Sequence, residues 1–408
     1  LKCRHCQAGD FVPLIDLATS PPSNAYLPPA ALDAPETWFP LRVFVCTHCW
    51  LAQTQDYADH AQLFAPDYAY FSSYSSSWLR HAERFVEMAV QRFALGPERR
   101  VIEVASNDGY LLKYVQARGI PCLGIEPTAS TAAAARAAGI EVVEAFFGVE
   151  LAHRLAAQGL CADLTVANNV LAHVPDINDF VAGFAVLLAP QGVACFEFPH
   201  LMALIDGCQF DTIYHEHFSY LSLTAVQRIF QRAGLVVFDV QELATHGGSL
   251  RVFAQRADHG RHPVAPAVAD LLRREASRGM TAEAYYRGLQ PRAEHVKTEL
   301  LRFLLDARRD GKRVVGYGAA AKGNTLLNFA GIRADLLPWV VDRNPAKQGK
   351  YLPGSRIPIV TEDRLRFERP DFVLILPWNL REEVMHQLSY VRAWGGRFVL
   401  ALPALTVQ

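Results

Sequence analysis

The chain has 408 residues, a formal net charge of −1 and a composition 51% hydrophobic, enough for two or three domains with sizeable cores. Balanced charge excludes the electrostatic footprint of a general nucleic-acid binder. No apolar run approaches the ~20 residues of a membrane helix, and no charged segment leads into an apolar core as in a signal peptide. A cytoplasmic monomer or weak oligomer is expected, with neither nucleic acid nor membrane as partner.

Residues 1–62 are rich in proline and polar residues and weakly periodic. Such a segment can hardly build its own core, so a staple is expected. It carries Cys3-x-x-Cys6 and Cys46-x-x-Cys49, two pairs separated by 39 residues. Each pair makes a knuckle, and two knuckles supply four thiolates to a tetrahedral zinc ion. His5 and His48 sit inside the pairs as competing ligands; the four sulfurs are the expected set. Four protein ligands leave no open position for water, so the zinc is expected to be structural. Cys122, Cys161, Cys195 and Cys208 are scattered in apolar contexts and read as inert, because a disulfide scaffold suits small secreted chains.

From residue 77 the pattern changes. Helices are expected over 78–93, 110–118 and 131–138, and strands over 100–104, 121–125, 140–143, 164–168 and 193–198. This alternation implies a mostly parallel sheet covered on both faces. A helix over 224–233 and strands over 236–240 and 250–254 continue the layer, with His246-Gly247-Gly248 as a tight hairpin turn. Residues 256–310 begin polar, turn helical and charged, and read as a helical linker. A second α/β unit follows, with strands over 313–316, 339–342, 372–376 and 397–402 and helices over 325–330 and 381–394.

The first of these strands runs through Val101-Ile102-Glu103-Val104 into Ala105-Ser106-Asn107-Asp108-Gly109 and then a helix. A small polar loop at the carboxyl end of a parallel strand lets a ligand approach backbone amides at a helix N-terminus. The next strand ends in Gly124-Ile125-Glu126-Pro127, where a carboxylate can accept both hydroxyls of an adenosine ribose. The G-x-G-x-x-G loop of a dinucleotide site is absent here. The loop resembles that of class I S-adenosylmethionine methyltransferases. That resemblance places Glu103 and Asp108 at the cationic methionine end, and Ser106, Asn107, Gly109, Glu126, Pro127, Asn168 and Asn169 around the cofactor. It also places His173, just beyond the 164–168 strand, facing the transferred methyl. An ordinary α/β turn and a surface histidine are the plain alternatives.

Asp211-Thr212-Ile213-Tyr214-His215-Glu216-His217-Phe218-Ser219-Tyr220 concentrates titratable groups after the fifth strand. It is not H-E-x-x-H, so a metalloprotease helix is not supported. An acid/base cluster fits better. Histidine titrates near neutrality, a glutamate can orient its ring, and a tyrosine can donate to an oxyanion. A polar loop is the plain alternative.

The cysteine pairs, the 105–109 and 124–127 motifs, Asn168 to His173, Tyr214 to His217, His246 to Arg251 and Tyr317 to Gly323 occur in one order. Together they resemble the sugar C-methyltransferases of deoxysugar biosynthesis, the NDP-hexose 3-C-methyltransferase family, over essentially the whole chain. The resemblance implies a zinc-binding N-terminal domain (1–75), a central class I methyltransferase domain (76–255), and a helical linker with a Rossmann-like C-terminal domain (256–408). The implied substrate is a nucleotide-linked 4-keto-6-deoxysugar, usually methylated at C3. The implied chemistry takes a proton from the carbon beside the ketone and lets the enolate attack the methyl of S-adenosylmethionine. His217 is then the base, Glu216 orients it or binds a sugar hydroxyl, and Tyr214 and His173 hydrogen-bond the ketone or enolate. His215 is a substrate-binding candidate. An active-site tyrosine is implied in Tyr68-Ala69-Tyr70-Phe71; Tyr70 is preferred and Tyr68 stays open.

Gly316-Tyr317-Gly318-Ala319-Ala320-Ala321-Lys322-Gly323-Asn324 is again strand, small-residue loop and helix. Lys322 could meet a diphosphate there. Asp342 ends the following strand, as an acid does in dinucleotide sites. The alternative activity is therefore an NAD-dependent oxidoreductase acting on a sugar nucleotide. A relic loop that only shapes the cleft, or a zinc scaffold without catalysis, are the other readings.

Overall fold

The structure, a computed structural model, describes residues 1–57 and 71–408. Tyr68 and Tyr70 lie outside the described residues. Three sheets organise the rest.

The first is antiparallel and built from Phe11–Ser20, Phe39–Cys46 and Ala52–Thr54, with Ser219–Tyr220 added at its edge. The expectation that residues 1–62 have too little pattern to build a core is half right. Register shifts between Pro13 and Ile15 and between Asp16 and Thr19 break the period-2 alternation, as bulges do. The inward residues Val12, Leu14, Ile15, Leu17, Val43 and Val45 are buried, and they share one core with Leu300, Leu304, Leu326 and Leu327 of the C-terminal unit. The lobe has a sheet of its own and a borrowed core.

The second sheet has seven strands in the order Leu235–Leu243, Ser249–Arg256, Leu188–Pro199, Ala162–Asn168, Val101–Val104, Cys122–Ile125 and Val142–Val143. Ser249–Arg256 runs antiparallel to both its neighbours; the other pairings are parallel. This is the class I methyltransferase sheet. One face packs on Phe85, Val86, Leu112 and Val115, the other on Phe180, Phe184, Val226 and Phe230. Helices therefore cover both faces, and the ligand edge lies at the carboxyl ends of Val101–Val104, Cys122–Ile125 and Ala162–Asn168.

The third sheet follows the order Ile359–Val360, Val340–Val341, Val314–Tyr317, Phe372–Ile375, Arg397–Leu400 and Thr406–Val407, parallel except for the last pair. The stretch read as a linker is packed structure. Pro266–Ser277 buries Val268 and Leu271 against the central core, whereas Leu289–Arg309 buries Ala293, Val296 and Leu300 in the C-terminal core. Glu275 fixes the first of these helices. It accepts from His200 Nε2 at 2.7 Å, from the Leu223 and Thr224 amides at 2.7 and 2.8 Å, and from Thr224 Oγ1 at 2.5 Å. The helix expected over 325–330 begins earlier, at Ala321–Ala330, so Lys322 lies in its first turn.

Candidate active site and zinc centre

Cys3 and Cys6 sit in one turn, Cys46 and Cys49 in another. In each turn the amide four residues on returns to the first cysteine's carbonyl: Gln7 to Cys3 at 3.0 Å, Trp50 to Cys46 at 2.9 Å. Gln7 and Trp50 adopt left-handed φ of 64° and 63°, which closes each knuckle. All four sulfurs lie within 4.8 Å of one another, with Cys3–Cys49 at 3.3 Å and Cys6–Cys46 at 3.6 Å. A tetrahedron with Zn–S bonds of about 2.3 Å has S···S edges near 3.8 Å, so the four thiolates fit one zinc ion. His5 is turned away, its Nδ1 2.8 Å from Asn178 Oδ1, and the His48 carbonyl accepts from Arg228.

The loop after Val101–Val104 turns through Ala105 and Asn107, both at positive φ. Glu126 holds it open from the next strand. The Asn107 amide donates to Glu126 Oε2, and the Thr128 amide to Oε1, both at 2.9 Å. An added Cβ at Gly124 would stand 2.5 Å from Ser106 Oγ, so only glycine lets the two loops nest. Gly109, at φ 79°, leads into the short helix Leu112–Gln116. Asn107 Oδ1 and Asp108 Oδ2 accept from the Ser72 and Ser73 amides, which anchors the turn Ser72–Tyr74 over the loop.

Glu103 lies beneath, fully buried, and neither of its oxygens meets a donor at hydrogen-bond geometry. Burial holds its carboxyl well above the usual range, tempered by the Tyr110 hydroxyl. A buried carboxylate without a donor is costly unless a cation comes to it. An orphaned Glu103 at the floor and a glycine-lined cradle fit S-adenosylmethionine, whose methionine end is cationic. Pro127 directly follows the Glu126 carboxylate, and Asn168 closes the strand Ala162–Asn168.

Asn169 follows at φ 54°, with its amide donating to the Glu197 carbonyl at 2.7 Å. His173 ends the next turn, Leu171–His173, and burial lowers its pKa to about 4. The His217 ring stands edge-on to it at 4.6 Å and lies 4.0 Å from the Tyr214 ring. His217 Nδ1 is 3.0 Å from the Thr212 carbonyl. A carbonyl can only accept, so Nδ1 carries the proton and Nε2 keeps its lone pair. Burial, with His173, Lys322 and His246 around it, holds His217 well below the usual histidine range. Glu216 is buried and takes one donor on each oxygen: Ser23 Oγ at 3.0 Å and Asn24 Nδ2 at 3.2 Å. His215 is not brought to this group. Its Nε2 is 3.3 Å from the Pro40 carbonyl and its ring meets Phe39 edge-on.

Lys322 approaches from the C-terminal unit. Its Nζ donates to Asn379 Oδ1 at 2.8 Å and lies 5.0 Å over the Trp378 ring. Burial lowers its pKa, with Asp211 opposing. The preceding loop copies the cofactor loop: Asp342 accepts from the Ala319 amide at 2.7 Å and the Asn344 amide at 2.8 Å.

Three family models tile the chain: a candidate zinc binding domain over residues 3–64, a methyltransferase domain over 78–240, and a C-methyltransferase C-terminal domain over 244–403. The C-methyltransferase NovU of Streptomyces niveus is 36% identical over 402 residues, spanning 98% of this chain and 95% of that protein. The chain belongs to the C-methyltransferase family. Distant likenesses among solved structures include magnesium protoporphyrin IX methyltransferase (ChlM) from Synechocystis PCC 6803 with bound SAH. It is 14% identical, covers 44% of this chain and 83% of that one, and has a TM-score of 0.36. The PH0226 protein of Pyrococcus horikoshii OT3 is 12% identical over 49% of this chain and 100% of that one, with a TM-score of 0.39. Likenesses this distant bear no further argument. The family assignment leaves nothing that favours the oxidoreductase alternative.

In this C-methyltransferase several residues join the site that the sequence did not single out. His246 has φ 53°, its Nε2 lies 3.3 Å from Asn169 Nδ2, and burial lowers its pKa to about 4. Behind it, buried Glu197 takes His81 Nε2 at 2.9 Å, Arg251 at 3.0 Å and Thr245 Oγ1 at 3.1 Å. Gly247 packs where a Cβ would stand 2.5 Å from the Trp378 ring, and Trp378 Nε1 donates to Asp211 Oδ2 at 2.7 Å. His246-Gly247-Gly248 was visible as a turn; a left-handed non-glycine residue beside two glycines was the available signal. Ser23 and Asn24 carried none.

Proposed function

We propose that this C-methyltransferase moves a methyl group from S-adenosylmethionine to the carbon beside the ketone of a nucleotide-linked 4-keto-6-deoxysugar, C3 by family pattern. The observation that carries this reading is the state of His217. Its Nδ1 is pinned to Thr212 and its surroundings keep it neutral, so Nε2 is a ready proton acceptor. Bound S-adenosylmethionine supplies an electrophilic methyl. His217 Nε2 removes the proton from the carbon alpha to the ketone. The Tyr214 hydroxyl and the His173 ring, both against His217, hydrogen-bond the developing enolate oxygen. Glu216 accepts a sugar hydroxyl and keeps the ring in place. Lys322, in the first turn of Ala321–Ala330, meets the diphosphate. The sugar follows from the motif resemblance, and the carbon acceptor from the family.

Purified protein with S-adenosylmethionine should convert at least one 4-keto-6-deoxyhexose linked to dTDP, GDP, CDP or UDP. Proton NMR would show a new methyl singlet on a quaternary sugar carbon. Absence of a C-methyl product across that panel would overturn the reading.

A further inference from the structure

The segment 21–26 leaves the zinc lobe's first strand and crosses the cleft. Two of its side chains end on one carboxylate. Ser23 Oγ donates to Glu216 Oε2 at 3.0 Å and Asn24 Nδ2 donates to Oε1 at 3.2 Å. Ser23 is 2% exposed and Glu216 1%, so water does not share these bonds. The segment is itself held from the far side. Asn324 Nδ2 donates to the Ser23 carbonyl at 2.6 Å, and the Tyr26 hydroxyl to the Ala319 carbonyl at 2.6 Å. Thr325 Oγ1, one residue beyond Asn324, donates to the Ile213 carbonyl at 2.9 Å, which fixes the other end of the loop that carries Glu216.

We infer that Ser23 and Asn24 are positioning residues for methyl transfer, acting through Glu216, so that the zinc lobe forms part of the active site. The inference rests on the role proposed above for Glu216.

The physical case is one of orientation and charge. A carboxylate buried at this depth would favour its neutral form without donors. Burial does raise the Glu216 pKa, and the Ser23 and Asn24 donors act against that rise. One donor on each oxygen fixes the carboxylate plane and leaves further lone pairs for a substrate hydroxyl. The titratable groups facing Glu216 are His173 and His217 beside it in the cleft, Tyr220 on the edge strand and Tyr26 on the crossing segment. None of these supplies a fixed positive charge, so the two neutral donors carry the task.

The test compares Ser23→Ala/Asn24→Ala, Ser23→Thr and Asn24→Asp with wild type across pH. Turnover by wild type on a keto-sugar nucleotide is the reference; if wild type gives none, the proposed function fails before the variants are read. The double alanine variant should lose tenfold or more in kcat, with zinc content and S-adenosylhomocysteine affinity unchanged. The acid limb of its kcat profile should move to higher pH, because Glu216 protonates more readily without its donors. Ser23→Thr keeps the hydroxyl and should recover most of the turnover. Asn24→Asp sets a second carboxylate against the first and should move the acid limb furthest. An unmoved acid limb in both Ser23→Ala/Asn24→Ala and Asn24→Asp overturns the inference, even if kcat or stability drops. A wild-type rate in the double variant overturns it outright.

Discussion

A base at this site has to be neutral before substrate arrives, and His217 is made so by its neighbours rather than by a carboxylate partner. Its proton sits on Nδ1 against Thr212, and no negative group touches the ring to stabilise an imidazolium at rest. His217→Asn keeps a donor near Thr212 but has no base. Methyl transfer should fall by about 10²- to 10⁴-fold, the range of general base catalysis. Binding of S-adenosylhomocysteine should persist, and exchange of the substrate's alpha proton in deuterated water should vanish. Exchange at the wild-type rate in this variant would take the base role from His217. Glu103 supports a second expectation. In the ligand-free protein burial holds its carboxyl in the neutral form above the usual range. A cationic methionine end requires it ionised, so binding must expel a proton. Affinity for S-adenosylhomocysteine should therefore rise about tenfold per pH unit below the raised pKa and level off above it. Calorimetry in buffers of different ionisation enthalpy would count the proton, and Glu103→Gln should abolish its release. Binding to wild type without proton release would show that Glu103 does not meet the ammonium. His217, Glu103, Glu126 and the cysteines were legible because type and spacing betray chemistry. Ser23, Asn24, His246 and Trp378 were not, because serine, asparagine and a lone tryptophan acquire meaning only from what the fold brings to them.

At the scale of elements, the apolar central strands were legible as runs, and Val101–Val104 differs from the sequence expectation by one residue. The N-terminal sheet was hidden by its bulges, and its edge strand Ser219–Tyr220 is two residues long and comes from far along the chain. The zinc knuckles close the open end of this sheet: Cys46 ends one strand, and its amide pairs with Leu51 just before the next. Without metal, four thiols packed this closely have no bond to hold them. A high-affinity chelator, or Cys46→Ser, should release one zinc per chain and destabilise the lobe by several kcal/mol, as structural zinc sites do. Turnover should fall with it, since the segment that carries Ser23 and Asn24 leaves the same sheet. Metal analysis and thermal unfolding would check this. A chelated protein with unchanged melting temperature would remove zinc from a structural role.

Across the whole molecule, the zinc lobe belongs to two cores at once. Its strands bury Val12, Leu14 and Val43 with the C-terminal unit, while Cys3, Cys46, Cys49 and Leu51 pack with the central sheet. The cleft between central and C-terminal units is thus bridged from one side by a lobe that lacks a core of its own. That arrangement makes the three parts melt together. Zinc-loaded protein should unfold in one calorimetric transition. Removal of zinc should split it in two, because the shared strands can no longer couple the remaining cores. S-adenosylhomocysteine, bound by the loop after Val101–Val104, should then raise only the transition of the central unit, through ligand linkage of about 2.7 kcal/mol at a hundredfold excess over Kd. Two resolved transitions in the zinc-loaded protein would mean that the lobe rests on its neighbours without coupling them, and that the cleft geometry depends on each unit separately.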